Sequence, residues 1–303
     1  MVSVSPSSVN VLRDLLFLER EQFSRLIAIL ILSNLLLWML LIYTRVRWSR
    51  FPLQFDRLVR RLGVADFASS YPGVEALSPV VVVIPAFEEE GNIGPVLRQM
   101  PAEVCGLELT ALVVDDGSAD GTAQEARDAG ALVATCAINR GGGAALRLGF
   151  DIAREYGAEI VVTMDADGQH LPGELERLVT PIVERELEIV IGSRLLGERE
   201  ADSPVRYVGI HVFNWLIRLL TPVRISDCSN GYRAFRVESL GRLVLHQDQF
   251  HTSELIIEAA KKGVSIGEAP VTVMRRTSGE SKKGRNWSYG LNFARTVLKT
   301  WWR

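Results

Sequence analysis

The apolar positions of this chain change texture partway along. From Leu26 to Tyr43 they are continuous, eighteen residues without a charge in which Ser33 and Asn34 are the polar members. At a helical rise this run spans about 27 Å, close to the hydrocarbon thickness of a bilayer. It therefore predicts a transmembrane helix, with a buried or interfacial helix as the alternative. Trp38, Tyr43 and Trp48 suit the interfaces. The charged segment ahead of the run is long and no small-x-small pattern follows it, which argues against a cleaved signal peptide. Residues 1–25 read as an exposed or amphipathic segment, and 44–78 as a basic juxtamembrane linker with a short helix around Leu58 to Leu62.

From Pro79 the pattern becomes an alternation of short β-branched runs and longer mixed ones. Val80 to Ile84, stopped by Pro85, predicts a buried parallel strand. Strands are also predicted at Leu109 to Val114, Ala131 to Thr135, Glu159 to Met164 and Glu188 to Ile191. Helices are predicted at Ile93 to Met100, Ala119 to Ala129, Gly142 to Tyr156 and Glu174 to Glu184. This alternation means an α/β domain with a mostly parallel central sheet, placed at 79–275. In such sheets ligands sit outside the carboxyl ends of the strands.

Charge adds a topology and removes some functions. A net charge of −2 over 303 residues gives no reason to expect nucleic acid. Cys105, Cys136 and Cys228 are too scattered for a disulfide scaffold or a zinc site, and the four His form no metal motif. Arg45, Arg47, Arg50, Arg57, Arg60 and Arg61 follow the apolar run, whereas the segment before it mixes both signs. Counting basic residues places the C-terminal bulk on the cytoplasmic side of a cell membrane crossed once. Self-association into a homo-oligomer is compatible with this composition.

The candidate chemistry lies at three strand ends, Pro85-Ala86-Phe87-Glu88-Glu89, Asp115-Asp116 and Asp165-Ala166-Asp167. A lone Asp-x-Asp is often only an Asx turn. Three acidic ends in one αβ series instead line a crevice, and two Asp one residue apart suit Mg²⁺ or Mn²⁺. No Gly-x-Gly-x-x-Gly follows the first strand and no Gly-Lys-Ser/Thr is present, which disfavours a dinucleotide or P-loop site. Asn139-Arg140-Gly141-Gly142-Gly143, ahead of a helix, is either a phosphate- or sugar-approaching loop or simply a tight turn.

Taken in order, VVVIPAFEEEGNI (81–93), VVDDGSADGT (113–122), NRGGGAALRLGF (139–150), TMDADGQH (163–170) and GSR (192–194) resemble the inverting glycosyltransferases of family 2, which have the GT-A fold. DCSNGYRAFR (227–236), SELIIEAAKKG (253–263) and RRTSGESKKGRN (275–286) resemble more narrowly the polyprenyl-phosphate glycosyltransferases, including dolichyl-phosphate mannose synthases. The resemblance implies a hexose moved from GDP-mannose or UDP-glucose to polyprenyl phosphate. By it, Pro85, Phe87, Glu89 and Asp116 are donor-pocket candidates. Asp165 and Asp167 would hold a divalent ion against the donor diphosphate, with Gln169 as a metal or phosphate contact and Arg194 at the diphosphate or acceptor. Two departures from the family pattern, Phe87-Glu88 for Tyr-Asn and Gly142 for Lys, bear on donor identity.

The tail fits an anionic acceptor. Arg275 to Arg303 holds eight Lys or Arg against one acid, Glu280. Arg275, Arg276, Lys282, Lys283 and Arg285 are candidates to gather phosphate, and a solvated or lipid-attracted basic loop is the plainer reading. Trp287, Leu291, Ala294, Leu298 and Trp301 recur at helical spacing, as do Val208, Val212, Trp215 and Leu219; either stripe faces a membrane interface or packs on the core. The expected tail is thus a basic acceptor loop and interfacial helix over 276–303. Asp227 is a base if the acceptor is a hydroxyl of a lipid-linked sugar or another glycan, and otherwise an orienting or structural acid. An inactive, membrane-anchored nucleotide-sugar-binding scaffold is the reading from a different class.

Overall fold

The computed structural model describes residues 24–197, 204–248, 251–274 and 287–302. The chain divides after Arg57 into two compact units. Helix α1 is Ser24–Ser70. Among the described residues it is the one helix long and apolar enough to cross a membrane, with a mean hydropathy of 2.5 in its best window. The expected linker over 44–78 is thus helical as far as Ser70, with Pro52 inside the helix. The second compact unit begins at Leu58. Within it Phe67 is fully buried, with its ring against Tyr71 and edge-on to Tyr156. The Tyr71 hydroxyl accepts the Val133 N–H at 3.0 Å.

The second unit alternates strands and helices in the order β1 (Val80–Ala86), α2 (Ile93–Arg98), β2 (Glu103–Val104), β3 (Leu107–Asp115), α3 (Thr122–Asp128), β4 (Leu132–Thr135), α4 (Gly142–Glu155), β5 (Ile160–Thr163), α5 (Leu175–Val183) and β6 (Ile189–Ser193). There follow α6 (Pro204–Leu220), β7 (Arg233–Arg236), α7 (Val237–Arg242), α8 (His251–Lys261), β8 (Ile266–Pro270) and α9 (Trp287–Trp302). The main path of the sheet is β2-β3-β1-β5-β7-β6-β8, with β4 also paired to β3. β1, β3, β4 and β5 are parallel, whereas β7 runs antiparallel between β5 and β6. β7 therefore begins where β5 ends, so the loop before it reaches the carboxyl-end crevice.

Period-two alternation divides the core. Val81 and Val83 point to the side covered by α4, α8 and Phe67; Val80, Val82 and Ile84 point to the side covered by α2, α3 and α5. On α4 the inward face includes Leu148 and Ile152, whose burial stabilises by roughly 1.5–3 kcal/mol each. Gly149 lets this helix lie on β1, because a Cβ there would stand 2.3 Å from a Val83 methyl.

Pro85 does not stop β1. The Val83 carbonyl accepts from Met164 N–H on the β5 side, and the Ala86 carbonyl accepts from Asp116 N–H on the β3 side. Bonding direction alternates along a parallel strand, so the nitrogen of residue 85 faces β5, beyond the last β1–β5 pair at Val83–Thr163. No ladder hydrogen bond is lost there.

Candidate functional site

Sheet register sets three acidic segments side by side. Ala86 is paired with Asp115 and Val83 with Thr163, so residues 87–89, 115–116 and 165–167 leave neighbouring strands at one edge.

In the first segment Phe87 is half-buried and Glu88 takes a left-handed φ of 50°. The Ser118 and Thr122 hydroxyls accept the Glu88 and Glu89 N–H groups at 2.9 and 2.8 Å. The Glu89 carboxylate accepts from Asn92 Nδ2 at 2.9 Å. In the second segment Asp116 is buried and accepts the Arg140 and Gly141 N–H groups at 3.1 and 2.6 Å. Burial pushes its carboxyl above the ordinary value against the pull of those two amides. The glycines of 141–143 have local reasons: Gly141 has φ 94°, and a Cβ on Gly143 would stand 2.3 Å from the Gln247 carbonyl. Gly143 N–H itself bonds the Asp248 carbonyl.

The third segment is tied from several sides. Asp167 is buried and accepts the Gln169 N–H at 3.1 Å, an Asx turn within the motif. His170 Nδ1 accepts the Asp165 N–H at 3.2 Å, so its Nε2–H is the donor to Asn230 Oδ1 at 3.0 Å. His170 also stacks on Tyr232, with centroids 4.9 Å apart. Asn230 Nδ2 donates to the Gly192 carbonyl at 2.7 Å, which links the ends of β5 and β6. Gly231 packs against the acids; a Cβ there would stand 3.0 Å from Asp165 Oδ1. Gln169 Nε2 donates to the Met274 carbonyl at 3.0 Å, its own carbonyl accepts the Met274 N–H at 2.9 Å, and His170 bridges Val273. The chain thus enters the basic segment from beside the acids. Arg275, Arg276, Lys282 and Lys283 lie outside the described residues.

Arg194 and Asp227 form a pair. Arg194 Nε and Nη2 donate to the two Asp227 carboxylate oxygens at 2.6 and 3.2 Å, and Nη2 also donates to Ser229 Oγ at 2.8 Å. Burial alone would raise the Asp227 carboxyl, but the Arg194 hydrogen bonds and charge outweigh it and hold the group below the ordinary range. Asp227 has no exposed surface. A base needs contact with the proton it takes, so this geometry suits the orienting role that the sequence left open. Arg233 anchors the same loop by donating to the Cys228, Asn230 and Thr252 carbonyls at 2.7 Å each. Its burial lowers its pKa to about 10.

Sequence reading missed His170, Asn230, Tyr232 and Arg233 as site-builders. The signal available was DCSNGYRAFR itself, too polar and too rich in small residues to begin an ordinary strand. Among the described residues no group of three His, Cys, Asp or Glu is arranged to hold a metal. Asp165 and Asp167 fit an ion that takes its remaining ligands from a diphosphate and water, as Mg²⁺ commonly does.

On the parts of α6 and α9 whose side chains are described, several large apolar residues are exposed. Val212, Trp215 and Leu219 on α6 and Leu298, Trp301 and Trp302 on α9 are exposed, Trp302 by 86%. Asn214, Ile217 and Thr221, and Thr296, Val297 and Thr300, point inward instead. The helices meet where Trp301 Nε1 donates to the Leu220 carbonyl at 3.0 Å.

Residues 81–244 match glycosyl transferase family 2. The chain is 34% identical over 221 residues to the polyprenol monophosphomannose synthase of Mycolicibacterium smegmatis, covering 67% of this chain and 80% of that one. It is 32% identical over 216 residues to the undecaprenyl-phosphate mannosyltransferase of Micrococcus luteus, covering 67% and 86%. The glucosyl-3-phosphoglycerate synthase of Mycobacterium tuberculosis, solved with Mn²⁺, UDP and glucosyl-3-phosphoglycerate, shares the fold with a TM-score of 0.57 at 22% identity, covering 78% of this chain and 82% of that one.

Proposed function

The chain belongs to glycosyl transferase family 2, and from that premise we propose that it moves a hexose, with inversion, from a nucleotide-diphosphate sugar such as GDP-mannose or UDP-glucose to polyprenyl phosphate. The bond from the sugar's anomeric carbon to the diphosphate breaks, a lipid phosphate oxygen bonds the same carbon from the opposite face, and nucleoside diphosphate leaves.

The observation that carries the acceptor class is the state of Asp227. A hydroxyl acceptor must lose a proton to a base, and this carboxylate is enclosed and bound bidentately to Arg194. A phosphate monoester is already mostly ionised near neutrality, its second pKa being about 6, and can attack without a base. Relatives named for polyprenol and undecaprenyl phosphate support the same class. So do the exposed Val212, Trp215, Leu219, Leu298, Trp301 and Trp302 of α6 and α9, which suit a lipid surface with Arg295 and Lys299 at the headgroups.

In this reading Pro85, Phe87, Glu89 and Asp116 line the nucleotide end of the crevice. Asp165 and Asp167, with Gln169 nearby, would hold Mg²⁺ or Mn²⁺. When bound, such an ion supplies Lewis-acid stabilisation of charge on the departing diphosphate. Arg194, oriented by Asp227, would meet a phosphate oxygen, and Arg275, Arg276, Lys282 and Lys283 would gather the two anions. The Leu26–Tyr43 run would cross the membrane once, with the catalytic unit on the cytoplasmic side.

Full-length protein incubated with a panel of nucleotide sugars, Mg²⁺ or Mn²⁺ and polyprenyl phosphate should yield polyprenyl-phosphate-hexose by mass analysis. Transfer to a hydroxyl acceptor alone would sink the acceptor assignment; donor binding without turnover would support a scaffold.

A further inference from the structure

Helix α6 has two faces with different work. Outward it presents Val212, Trp215 and Leu219; inward it presents Asn214, buried to 5% exposure. The Asn214 side chain holds both sides of Asp227. Its Oδ1 accepts the Cys228 N–H at 3.0 Å, and its Nδ2 donates to the Ser226 carbonyl. One helical turn on, Arg218 Nη2 donates to the Ile225 carbonyl at 3.2 Å. From the opposite side, Glu268 of β8 accepts the Ser226 and Asp227 N–H groups at 2.8 and 3.0 Å and the Ser226 hydroxyl at 3.0 Å. Ser193, the residue before Arg194, shares a 2.6 Å hydroxyl contact with Ser226.

These bonds form one relay from helix to guanidinium. We infer that Asn214 is a positioning residue for transfer, fastening the Ser226–Cys228 backbone to the inner face of α6 so that Asp227 holds the Arg194 guanidinium in place. The inference rests on the reading of Arg194 as a phosphate-contacting group. Its basis is that Asn214 satisfies two buried backbone groups flanking Asp227, and losing either frees the loop to settle elsewhere. A displacement of about 1 Å at a reacting phosphate can cost on the order of 100-fold in rate.

The test uses the full chain and two acceptors, a short water-soluble polyprenyl phosphate and a long one in vesicles. Asn214→Ala should lower kcat by at least about tenfold on both acceptors. Its affinity for nucleoside diphosphate with Mn²⁺, measured by calorimetry, should stay within about twofold, since the relay ends at Arg194 and does not touch the nucleotide segments. Combined with Asp227→Asn, it should add little to the loss from Asp227→Asn alone, because both act through one guanidinium. Should Asn214→Ala fail to fold, Asn214→Asp keeps size and the oxygen facing Cys228 N–H while removing the donor to Ser226, and should lower kcat in the same direction. Wild-type kcat in the variant that folds, fully additive losses, or nucleotide affinity falling as much as kcat would each overturn the inference. A wild-type protein inactive on both acceptors would sink the acceptor assignment instead. The comparison would then be read on donor hydrolysis, where an unchanged rate in the Asn214 variant overturns the inference.

Discussion

Removing the Asp227 carboxylate separates an orienting acid from a base. Asp227→Ala deletes two charge-assisted hydrogen bonds to Arg194, at 2.6 and 3.2 Å, and leaves a guanidinium that is 9% exposed. Each such bond contributes about 1.5–3 kcal/mol. Stranding one partner of a buried pair costs about 3–5 kcal/mol in total, the figure expected here in urea unfolding of the catalytic unit. Asp227→Asn keeps the shape and one acceptor oxygen, so it should cost less stability while still releasing Arg194 and lowering transfer. The pH dependence decides the role. Because the folded carboxyl sits below its ordinary value of 3.8, the contribution of the pair is present above that pH and is lost as pH falls through the folded pKa. An orienting Asp227 therefore predicts transfer with no Asp227-dependent acid limb between pH 5 and 7, in wild type and Asp227→Asn alike, on the order of the resolution of such a profile. A limb in that range that vanishes in Asp227→Asn, or Asp227→Ala within about 1 kcal/mol of wild-type stability, would refute the assignment.

Four further outcomes follow from the same geometry. Asp167→Ala should abolish Mg²⁺- or Mn²⁺-stimulated transfer while the circular dichroism melt stays close to wild type; metal-stimulated turnover in the variant would remove Asp167 from the metal site. Gly231→Ala puts a methyl 3.0 Å from Asp165 Oδ1 and should weaken Mn²⁺ affinity in calorimetry with little change in fold. Gly149→Ala drives a Cβ to 2.3 Å from Val83 and should destabilise by about 1–3 kcal/mol in urea unfolding, without any direct effect on the nucleotide segments. Leu219→Glu removes an exposed apolar contact of α6 and should lower partitioning of the catalytic unit onto vesicles by roughly tenfold or more, from about 1.5–3 kcal/mol of lost burial.

Legibility differed with the physical basis of each signal. The parallel half of the sheet was readable because β1 and β5 are buried on both faces and carry continuous β-branched runs, and β3 is buried over its last four residues, Leu112 to Asp115. β7 was not readable: Arg233-Ala234-Phe235-Arg236 has charge at both ends, and Arg233 is buried only because three carbonyls receive it. Pro85 misled for a related reason, since whether a proline ends a strand depends on which neighbour its nitrogen would face. Phe67 misled differently, being one buried aromatic among small and mostly exposed residues, Ala65, Asp66, Ala68, Ser69 and Ser70, that carry no strand or helix-face pattern of their own.

The stripes on α6 and α9 show where periodicity stops and chemistry continues. Helical spacing identified Val212, Trp215 and Leu219 as one face but could not say whether that face looks inward. The opposite face answers through its polar members. Asn214 and Thr221 are buried because they have backbone partners, Asn214 at Ser226 and Cys228 and Thr221 at the Ile217 carbonyl. The inner face of α6 joins the core through Ile217, with Phe213, Leu216 and Leu220 packed alongside, and ties the 225–228 loop through Asn214, while Val212, Trp215 and Leu219 stay outside that core. That loop carries Asp227, so the element with an unburied apolar stripe is the same one that sets the Arg194 pair, and a bilayer is the solvent that would make both faces favourable at once.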